Sequence, residues 1–375
     1  MRITIATGPC FPAPPARGGG MIRTWMSLAA AFAAEGHEVI LFSRAYPGQP
    51  AHEQMAGFHI LRWGGFDQPR WIGTSLLFDF IYAARGVRRL PDADILVTND
   101  FWLPFFSPVL RPGAGRVVIS VNRYPKHQLW LYQKADLLIV PTRSMAHAVE
   151  KQQPSWIPRT SCIPNCYDET AFFVNNSVER NPLHILFAGR IHPEKGLEML
   201  LKAFRLIQPQ IPGCQLTLAG PHAISEGGGG TGFLRRLQHL AKGLPVAFMG
   251  PVHNSGQLAH LYQTHGVFCY PSLADQGEAM GIAPLEAMAC GCIPVVSSNP
   301  VFADWLCSGV NGWSFDHRSP HAVEALAGRL NDCLADEDRQ EEMRTAAHKA
   351  TTRFQSHVVA DEFLEVFEYL ADEPR

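Results

Sequence analysis

The chain has 375 residues, of which 46% are hydrophobic and 18% charged, so its composition excludes disordered, collagen-like and highly charged proteins. Its 32 basic and 34 acidic residues give a formal net charge of −2, which argues against a uniformly basic nucleic-acid binder. The length suits two domains of opposite charge, because 1–177 holds 17 basic and 12 acidic residues whereas 178–375 holds 15 basic and 22 acidic residues.

The first part of the chain predicts alternating strands and helices. Ile3–Ala6 is a short apolar run typical of a strand, and apolar residues at helical spacing from Ile22 to Ala33 predict a helix that ends at Gly36. Val39–Phe42 then completes a βαβ unit, which implies a parallel sheet. Further buried strands are predicted at Asp94–Thr98, Val117–Val121 and Leu137–Val140.

The alternation stops between Pro154 and Asn181, which we interpret as an interdomain linker, and then resumes. Strands are predicted at His184–Ala188, Gln215–Ala219, Val246–Phe248, Val267–Tyr270 and Ile293–Val296, and helices at Gly196–Ile207, Phe233–Ala241, Ser255–His265 and Pro284–Ala289. The fold class is therefore α/β, with a Rossmann-like domain at 1–177 and a second at 178–354. Both sheets are expected to turn their carboxyl ends to a central cleft. A C-terminal helix at about 355–372 is expected to pack back on the first domain.

Two glutamates stand out in the segment PSLADQGEAMGIAPLEAMACGCIP, which follows a predicted strand. Glu278 lies in the loop, and Pro284 suits the first turn of a helix, which places Glu286 in that turn. The two carboxylates bracket a helix N-terminus whose free N–H groups suit an anion such as a diphosphate. The alternative is that Glu286 only complements the helix dipole.

A second segment, FAGRIHPEKGLEML, presents two cations where a strand ends and a helix begins. Arg190 and Lys195 supply the positive charge that a departing diphosphate needs without a metal ion. The alternative is a solvated surface pair. A third segment, the loop from Pro9 to Gly20, contains Gly18, Gly19 and Gly20 and allows a close approach of backbone N–H groups to a ligand. Its alternative is a flexible turn.

These segments resemble family 4 retaining glycosyltransferases of the GT-B fold, of the exopolysaccharide type. The likeness to the E-x7-E region is carried by Glu278, Gly281, Leu285, Glu286, Ala287, Met288, Ala289, Cys290, Gly291, Pro294, Val295 and Val296. A second match, G-R-x-x-P-E-K-G, begins at Gly189. With weaker matches elsewhere, the likeness spans nearly the whole chain.

The resemblance implies a role for each matching residue. Glu278 contacts the hydroxyls of the donor sugar, and Glu286 contacts the ribose of the nucleotide. The backbone at Gly281 and Ile282 reaches the donor sugar and diphosphate. Arg190 and Lys195 bind the donor phosphates, and Gly19 and Gly20 lie over the diphosphate beside the acceptor. Glu278, Arg190, Lys195 and Asn122 are the candidate catalytic residues.

The sequence departs from the family on the acceptor side. Asn122 stands where the family often carries a histidine near the donor sugar, and Asn99 and Asp100 stand where another histidine is often found. An amide hydrogen-bonds a hydroxyl but does not titrate near neutral pH, so the departures bear on sugar choice more than on the reaction. Asp100 is the residue to check as a nucleophile.

Metal and redox chemistry find little support in the sequence. The D-x-D patterns at Asp92–Asp94 and Asp336–Asp338 are interpreted as structural, and the sixteen histidines show no ligand spacing, so no metal or other cofactor is expected. The nine cysteines form no C-x-x-C motif, which favours reduced thiols in a cytoplasmic protein. No signal peptide or membrane-spanning segment is predicted.

Aromatic residues gather in the first half, which holds six of the eight tryptophans. Most such residues form cores, but Phe101, Trp102, Phe105 and Phe106 follow a strand end and suit a groove for an acceptor sugar or a lipid-linked one. The positive balance of 1–177 favours a phosphate-bearing partner, and with it a location at the inner face of the plasma membrane as a peripheral protein.

The expected function is retaining transfer of a sugar from a nucleotide-sugar, a UDP-sugar by resemblance, to a glycan or lipid-linked acceptor in polysaccharide or glycoconjugate biosynthesis. One rival is a GT-B sugar-nucleotide epimerase or hydrolase, which requires an acid/base pair that Asn99 and Asn122 do not offer. Another rival is a non-catalytic nucleotide-sugar-binding partner. The sequence leaves the oligomeric state open, and no nucleic-acid partner is expected.

Overall fold

The computed structural model describes residues 1–15, 19–69 and 71–373 of the chain. The chain divides into two compact units, one formed by Met1–Cys166 with Phe354–Arg375 and the other by Tyr167–Arg353. Each unit contains one largely parallel β-sheet with helices between its strands, so the predicted α/β class with two Rossmann-like domains is confirmed. Within the described residues, no helix has both the length and the apolar character that crossing a membrane requires.

The first unit is built on an eight-stranded sheet. Its strands are β1 (Arg2–Ala6), β2 (Glu38–Ser43), β3 (His52–Met55), β4 (Phe58–Arg62), β5 (Ile95–Thr98), β6 (Arg116–Ser120), β7 (Leu137–Val140) and β8 (Thr160–Cys162). They lie in the order β3-β4-β2-β1-β5-β6-β7-β8, and among the described strand pairs only β3 and β4 run antiparallel. Every residue of β5 and β7 is buried, as expected for parallel strands covered on both faces.

In the described part of this unit, four α-helices connect the strands. They are α1 (Gly20–Ala34), α2 (Ile72–Gly86), α3 (Leu103–Leu110) and α4 (Arg143–Gln152). Helix α1 begins directly after Gly19, whose φ of 105° lies in the left-handed region that favours glycine. The loop before α1 comes from the carboxyl end of β1, so α1 points its N-terminus at that edge of the sheet.

The second unit is built on a six-stranded parallel sheet. Its strands are β9 (Asn181–Ala188), β10 (Gln215–Ala219), β11 (Val246–Gly250), β12 (His265–Tyr270), β13 (Ile293–Ser297) and β14 (Trp313–Phe315), in the order β11-β10-β9-β12-β13-β14. The chain runs outward from β9 to β11 and then returns to the other side of β9 with β12. The crevice between β9 and β12 is therefore the topological switch point, where doubly wound sheets bind ligands.

Within the described residues, seven α-helices follow β9 along the chain. They are α5 (Leu197–Ile207), α6 (Gly230–Leu240), α7 (Ser255–Thr264), α8 (Ile282–Ala289), α9 (Ala322–Leu334), α10 (Glu337–Thr351) and α11 (Ser356–Asp372). The last of these, α11, belongs to the first unit and packs on α1. The ring centroids of Trp25 and Phe363 are 6.0 Å apart, and those of Phe32 and Phe367 are 5.8 Å apart.

The segment interpreted as a linker is largely structured. Thr160–Cys162 forms β8 and extends the first sheet beyond β7, and the compact second unit begins at Tyr167, whereas the sequence pattern placed the boundary after residue 177. The residues after Tyr167 are held by the second unit, since the rings of Phe172 and Tyr262 have centroids 5.9 Å apart.

Candidate active site

The switch point of the second sheet carries two of the predicted site residues in direct contact. Lys195 ends a short 3₁₀ turn before α5, and Glu278 lies in the loop after β12, as predicted. The Nζ of Lys195 donates a hydrogen bond to Oε1 of Glu278. Lys195 is only 5% exposed and Glu278 only 6% exposed, so this is a buried ion pair. The alternative of a solvated surface lysine is therefore wrong.

Two hydroxyl groups complete the surroundings of the pair. Lys195 Nζ also donates to the Tyr270 hydroxyl at 2.8 Å, and that hydroxyl donates to Glu278 Oε1 at 3.1 Å. The Ser272 hydroxyl donates to the same oxygen at 2.7 Å. All these bonds use Oε1, and none of the described residues donates to Oε2. Glu278 thus keeps one carboxylate oxygen for a ligand hydroxyl.

The environment fixes Lys195 as a cation. Burial disfavours the charged ammonium, but Tyr270 and Glu278 outweigh that cost and raise the pKa of Lys195. Burial raises the pKa of the Tyr270 hydroxyl, and the charge of Glu278 raises it further. Tyr270 therefore stays protonated and serves as a hydrogen-bonding bridge between the cation and the carboxylate.

Gly196 explains how Lys195 reaches Glu278. Its φ is 70°, and a Cβ at this position would lie 2.0 Å from the carbonyl oxygen of Pro271, which follows β12. The start of α5 and the loop after β12 therefore touch backbone to backbone, and the Leu273 N–H donates to the Glu194 carbonyl at 2.7 Å. This contact places Lys195 beside the loop that carries Glu278.

Arg190 lies after β9 on the same edge of the sheet but in a more open position. Its side chain is 42% exposed and forms an ion pair with Glu194 at 2.6 Å. Its second guanidinium nitrogen donates to the Gly227 carbonyl at 2.9 Å. Glu194 and the Gly227 carbonyl thus hold Arg190 at the edge of the sheet. An anionic ligand would compete with these two groups for the guanidinium.

Helix α8 begins two residues earlier than predicted, at Ile282 instead of Pro284. Gly281 is its N-cap, with a φ of 81°, and no side chain caps the helix. A Cβ at Gly281 would lie 2.8 Å from a ring carbon of Phe302. The N-terminus of α8 is therefore formed by glycine backbone and keeps its N–H groups open to a ligand.

The prediction that Glu286 lies in the first turn of this helix is wrong. Glu286 is the fifth helical residue and lies in the second turn, because Pro284 is accommodated at the third position. It is buried, and the Tyr262 hydroxyl donates to its Oε2 at 3.3 Å. The helix dipole acts mainly within the first turn, so the dipole interpretation of Glu286 loses its support.

The remaining predicted residues belong to the first unit. Gly19 is the N-cap of α1 and Gly20 its first residue, whereas Gly18 lies outside the described residues. Asn122 follows β6, and its Nδ2 donates to the Ser120 hydroxyl at 2.7 Å. The amide oxygen of Asn122 is buried and accepts no hydrogen bond from the described residues. A buried acceptor without a donor is typical of a ligand-binding position.

An acid pair in the first unit was missed from the sequence. Asp100 follows β5, and its Oδ1 accepts from the N–H groups of Trp102 and Leu103 at 2.9 and 3.1 Å. Its other oxygen, Oδ2, and Oδ1 of Asp79 on α2 are buried and accept no hydrogen bond from the described residues. The charge of Asp100 contributes to a raised pKa of Asp79, so the pair keeps a proton near neutral pH.

The protonation of this pair follows from its burial. Loss of solvent and then the neighbouring Asp100 raise the pKa of Asp79 to about 9. Burial also raises the pKa of Asp100. The sequence singled out Asp100 alone, because nothing in the local pattern shows that the apolar helix α2 turns its one acid toward the end of β5.

Within 1–15, 19–69 and 71–373, no three histidine, cysteine, aspartate or glutamate side chains gather into a group that could hold a metal ion. Asp92 pairs with Arg111 and Asp94 with Arg2, and Asp336 caps α10 by accepting from the Arg339 N–H. Three of the four carboxylates of the two D-x-D patterns, those of Asp92, Asp94 and Asp336, are thus engaged by protein groups.

Two family models match the chain in succession. Residues 18–171 match Glycosyltransferase Family 4, and residues 168–350 match Glycosyl transferases group 1. Together the matches cover both compact units and meet close to the boundary between them.

Curated relatives and solved structures agree with these matches. An exopolysaccharide phosphotransferase of Streptomyces coelicolor is 27% identical over 82% of the chain, and the chain spans 32% of that protein. A lipopolysaccharide 1,2-N-acetylglucosaminetransferase of Salmonella typhimurium is 21% identical, with 97% of each protein covered. The structure of HepE from Anabaena with UDP and glucose superposes with a TM-score of 0.75 at 16% identity, covering 98% of this chain and 99% of HepE. The chain is therefore a glycosyltransferase of the GT-B fold, in which a Glycosyltransferase Family 4 segment precedes a Glycosyl transferases group 1 segment.

Proposed function

We propose that the chain is a retaining glycosyltransferase that transfers a sugar from a UDP-sugar to a glycan or lipid-linked acceptor. The observation that carries this proposal is the buried Lys195–Glu278 pair at the switch point of the second sheet. Burying two charges is costly unless they are paired and hydrogen-bonded, and a hydrophobic pair would serve stability as well. A carboxylate with an open oxygen beside a fixed cation suits a sugar diphosphate better than it suits a core.

The donor is proposed to bind at the carboxyl edge of β9 and β12. Arg190, Lys195 and the open N–H groups at Ile282 together offer positive charge and donors for a diphosphate. Glu278 is proposed to accept from the sugar hydroxyls through Oε2, and Glu286 from the ribose hydroxyls. UDP as the nucleotide is supported by HepE, which was solved with UDP and glucose.

In the proposed reaction, the bond between the anomeric carbon and the diphosphate oxygen breaks, and a bond to the acceptor oxygen forms on the same face. The proton of the acceptor hydroxyl passes to the leaving diphosphate, so that UDP and the glycoside are the products. Lys195 and Arg190 stabilise the charge that develops on the diphosphate. Preorganised groups of this kind typically contribute about 3–4 kcal/mol each to the transition state.

The acceptor is proposed to bind the first unit. Asn122 offers a buried amide oxygen to a sugar hydroxyl, and the N–H groups at Gly19 and Gly20 lie at the start of α1. The relatives support a carbohydrate or lipid-linked acceptor, since the Salmonella protein is named for lipopolysaccharide and the Streptomyces protein for exopolysaccharide.

A binding and product assay tests donor and stereochemistry together. UDP-sugars at about 100 times their Kd should stabilise the protein by about 2.7 kcal/mol, and GDP- and ADP-sugars should not. Proton NMR of the product should show the anomeric configuration of the donor. An inverted product would rule out the retaining mechanism, and stabilisation by another nucleotide alone would rule out UDP.

The reaction is proposed to need no metal ion, because Arg190 and Lys195 supply the charge that a divalent cation would supply. Excess EDTA should therefore leave the transfer rate unchanged in a radiolabelled-sugar assay. A rate that falls with EDTA and returns with Mg²⁺ or Mn²⁺ would contradict this part of the proposal.

A sugar-nucleotide hydrolase or epimerase is the second candidate, and the Asp79–Asp100 pair favours it. The sequence provided no acid/base pair in the first unit, and this pair is one. Release of free sugar or of the epimer from the UDP-sugar without any acceptor, abolished in Asp100→Asn, would support it. Turnover that depends strictly on an added acceptor would exclude it.

A further inference from the structure

Helix α2 exposes an apolar face although it belongs to a folded unit. Leu77, Phe78, Phe80 and Ile81 are each between 41% and 57% exposed, and they cover an arc of about 160° around the helix. Asp79, Tyr82, Ala83 and Gly86 fill the opposite, buried side. A surface helix usually buries its apolar side and exposes its polar side. Helix α2 does the opposite, since it buries its one acid and exposes its large apolar residues.

Helix α3 extends this surface. The ring centroid of Phe80 on α2 lies 5.3 Å from the ring centroid of Trp102 and 5.1 Å from that of Phe106. Trp102 also donates its indole N–H to the Leu76 carbonyl at 2.9 Å, which ties the two helices together. We define the α2–α3 face as the exposed residues Trp71, Ile72, Leu77, Phe78, Phe80, Ile81, Phe105, Val109 and Leu110.

A cluster of exposed apolar residues on adjoining helices usually marks an interaction site, since single exposed apolar residues are normal but clusters are not. The charges beside the face indicate which kind of partner binds it. Arg85 and Arg88 follow the apolar residues at one end of the face, and neither forms an ion pair with a described residue. The only acid of α2, Asp79, is buried on the opposite side in its pair with Asp100.

Apolar and aromatic side chains beside unpaired arginines fit the interface of a bilayer that contains anionic lipid. A second copy of the chain fits less well, because a symmetric contact brings the same arginines from both copies to one interface. The 15 residues of α2 span about 22 Å, less than the ~30 Å of hydrocarbon, so the helix can lie in the interface but not cross it.

We propose that the α2–α3 face docks on the surface of an anionic bilayer, with α2 parallel to the membrane plane and Arg85 and Arg88 on the lipid headgroups. The docking stands apart from the proposed donor site, since none of its residues belongs to that site, and Phe105 is the one residue of the face that the sequence also assigned to an acceptor groove. It brings the first unit to the membrane surface, where a lipid-linked substrate would be found.

Vesicle co-sedimentation tests the docking. The full chain should pellet with vesicles of phosphatidylcholine and phosphatidylglycerol, bind neutral phosphatidylcholine vesicles much less, and dissociate as salt rises. The double variant Leu77→Ser with Ile81→Ser should lose binding roughly tenfold or more, as should Arg85→Gln with Arg88→Gln. Because all four residues are exposed, both double variants should unfold at the same temperature as the wild-type protein.

The matched control is Leu206→Ser with Val310→Ser, two comparably exposed apolar residues of the second unit. This variant should bind vesicles like the wild type. The proposal is overturned if anionic vesicles do not bind the chain, or if the control loses binding as strongly as the α2 variant. It is equally overturned if sedimentation velocity shows that the α2 variant converts a dimer to a monomer while vesicle binding is unaffected.

Discussion

Lys195 and Arg190 are both cations at the carboxyl edge of the second sheet, yet they differ in how the protein holds them. Lys195 is buried against Glu278 and Tyr270, whereas Arg190 is partly exposed and bonds to Glu194 and a backbone carbonyl. The burial of Lys195 ties its charge to the stability of the fold. The exposure of Arg190 leaves its charge available mainly to a ligand.

Substitution of these cations should therefore separate stability from activity. Lys195→Ala leaves Glu278 as a buried unpaired carboxylate and should cost about 3–5 kcal/mol of unfolding free energy in urea titrations. Arg190→Ala should cost no more than about 1 kcal/mol, because the pair with Glu194 is half-exposed. It should nevertheless lower the transfer rate by about 10²–10³-fold. Equal stability losses in the two variants would contradict this distinction.

The Asp79–Asp100 pair makes stability depend on pH. The pKa of Asp79 is raised to about 9 in the folded state, whereas an aspartate in the unfolded chain has its ordinary pKa near 4. Between these two pH values, the folded state therefore keeps a proton that the unfolded state has lost. Stability should fall as pH rises between these two values, by up to about 1.4 kcal/mol per pH unit for one proton.

Asp79→Asn tests this dependence, because its amide donates to Asp100 without titrating. The variant should unfold at a higher temperature than the wild type at pH 8.5, and the two should converge near pH 4. Asp92→Asn, which changes an exposed carboxylate, should follow the wild-type profile. A wild-type melting temperature that is flat from pH 5 to 8.5 would show that the pair holds no shared proton.

At the scale of elements, the sequence predicted the second sheet well. The five strands β9 to β13 were predicted because each is a short apolar run bounded by glycine, proline or polar residues. The sequence did not predict β3, β4, β8 or β14. Three of these, β3, β8 and β14, are edge strands of only three or four residues, whereas β4 lies inside the first sheet between β3 and β2. The start of α8 was misplaced because proline is tolerated anywhere in the first turn, so Pro284 does not fix the first residue.

In the candidate site as well, some residues were predictable from the sequence and others were not. Lys195 and Glu278 were recognisable because each lies in a motif, but the Tyr270 and Ser272 contacts come from the end of β12 and carry no signal of their own. Asp79 was missed because its partner lies on another element, at the end of β5. Contacts of this kind depend on which faces of the elements meet, which local periodicity does not encode.

The junction between α5 and the loop after β12 depends on Gly196. In Gly196→Ala, a methyl group would meet the Pro271 carbonyl oxygen at 2.0 Å, and alanine would have to adopt a φ of 70°. We expect a loss of at least about 2 kcal/mol of unfolding free energy. Activity should also fall, because the loop that carries Glu278 must move.

Gly232→Ala is the matched control for this element. Gly232 lies within α6, and a Cβ there meets no atom within 4 Å. Alanine is the better helix former, so this variant should be neutral or stabilised by up to about 1 kcal/mol. If both substitutions had the same effect, the backbone contact at Pro271 would not be the cause.

At the scale of the whole molecule, the near-zero net charge conceals two chemically different units. The first unit, 1–166 with 354–375, holds 18 basic and 16 acidic residues and carries the apolar and basic α2–α3 face. The second unit, 167–353, holds 14 basic and 18 acidic residues and places Arg190 and Lys195 at the edge of its sheet. The first unit is also discontinuous in sequence, because α11 joins it after the whole second unit has been completed.

Loss of the contact between α11 and α1 should destabilise the first unit. Phe363→Ala removes a buried ring that meets both Trp25 and Phe32, and it should cost about 3–5 kcal/mol. Tyr369→Ala, on the exposed side of the same helix, should cost less than about 0.5 kcal/mol. Hydrogen exchange should show faster exchange in α1 and β1 of Phe363→Ala and unchanged exchange in β9 and β12. Uniform acceleration in both units would contradict this assignment.

The position of α11 has a consequence for how the protein is made. On the ribosome, Trp25 and Phe32 emerge before the second unit, but the helix that covers them emerges only after it. The second unit, Tyr167–Arg353, has its complete sequence before α11 emerges and can fold first. The sheet of the first unit must therefore wait, with one apolar surface uncovered, until α11 has emerged. Nascent chains at that stage should be the ones that depend on chaperones.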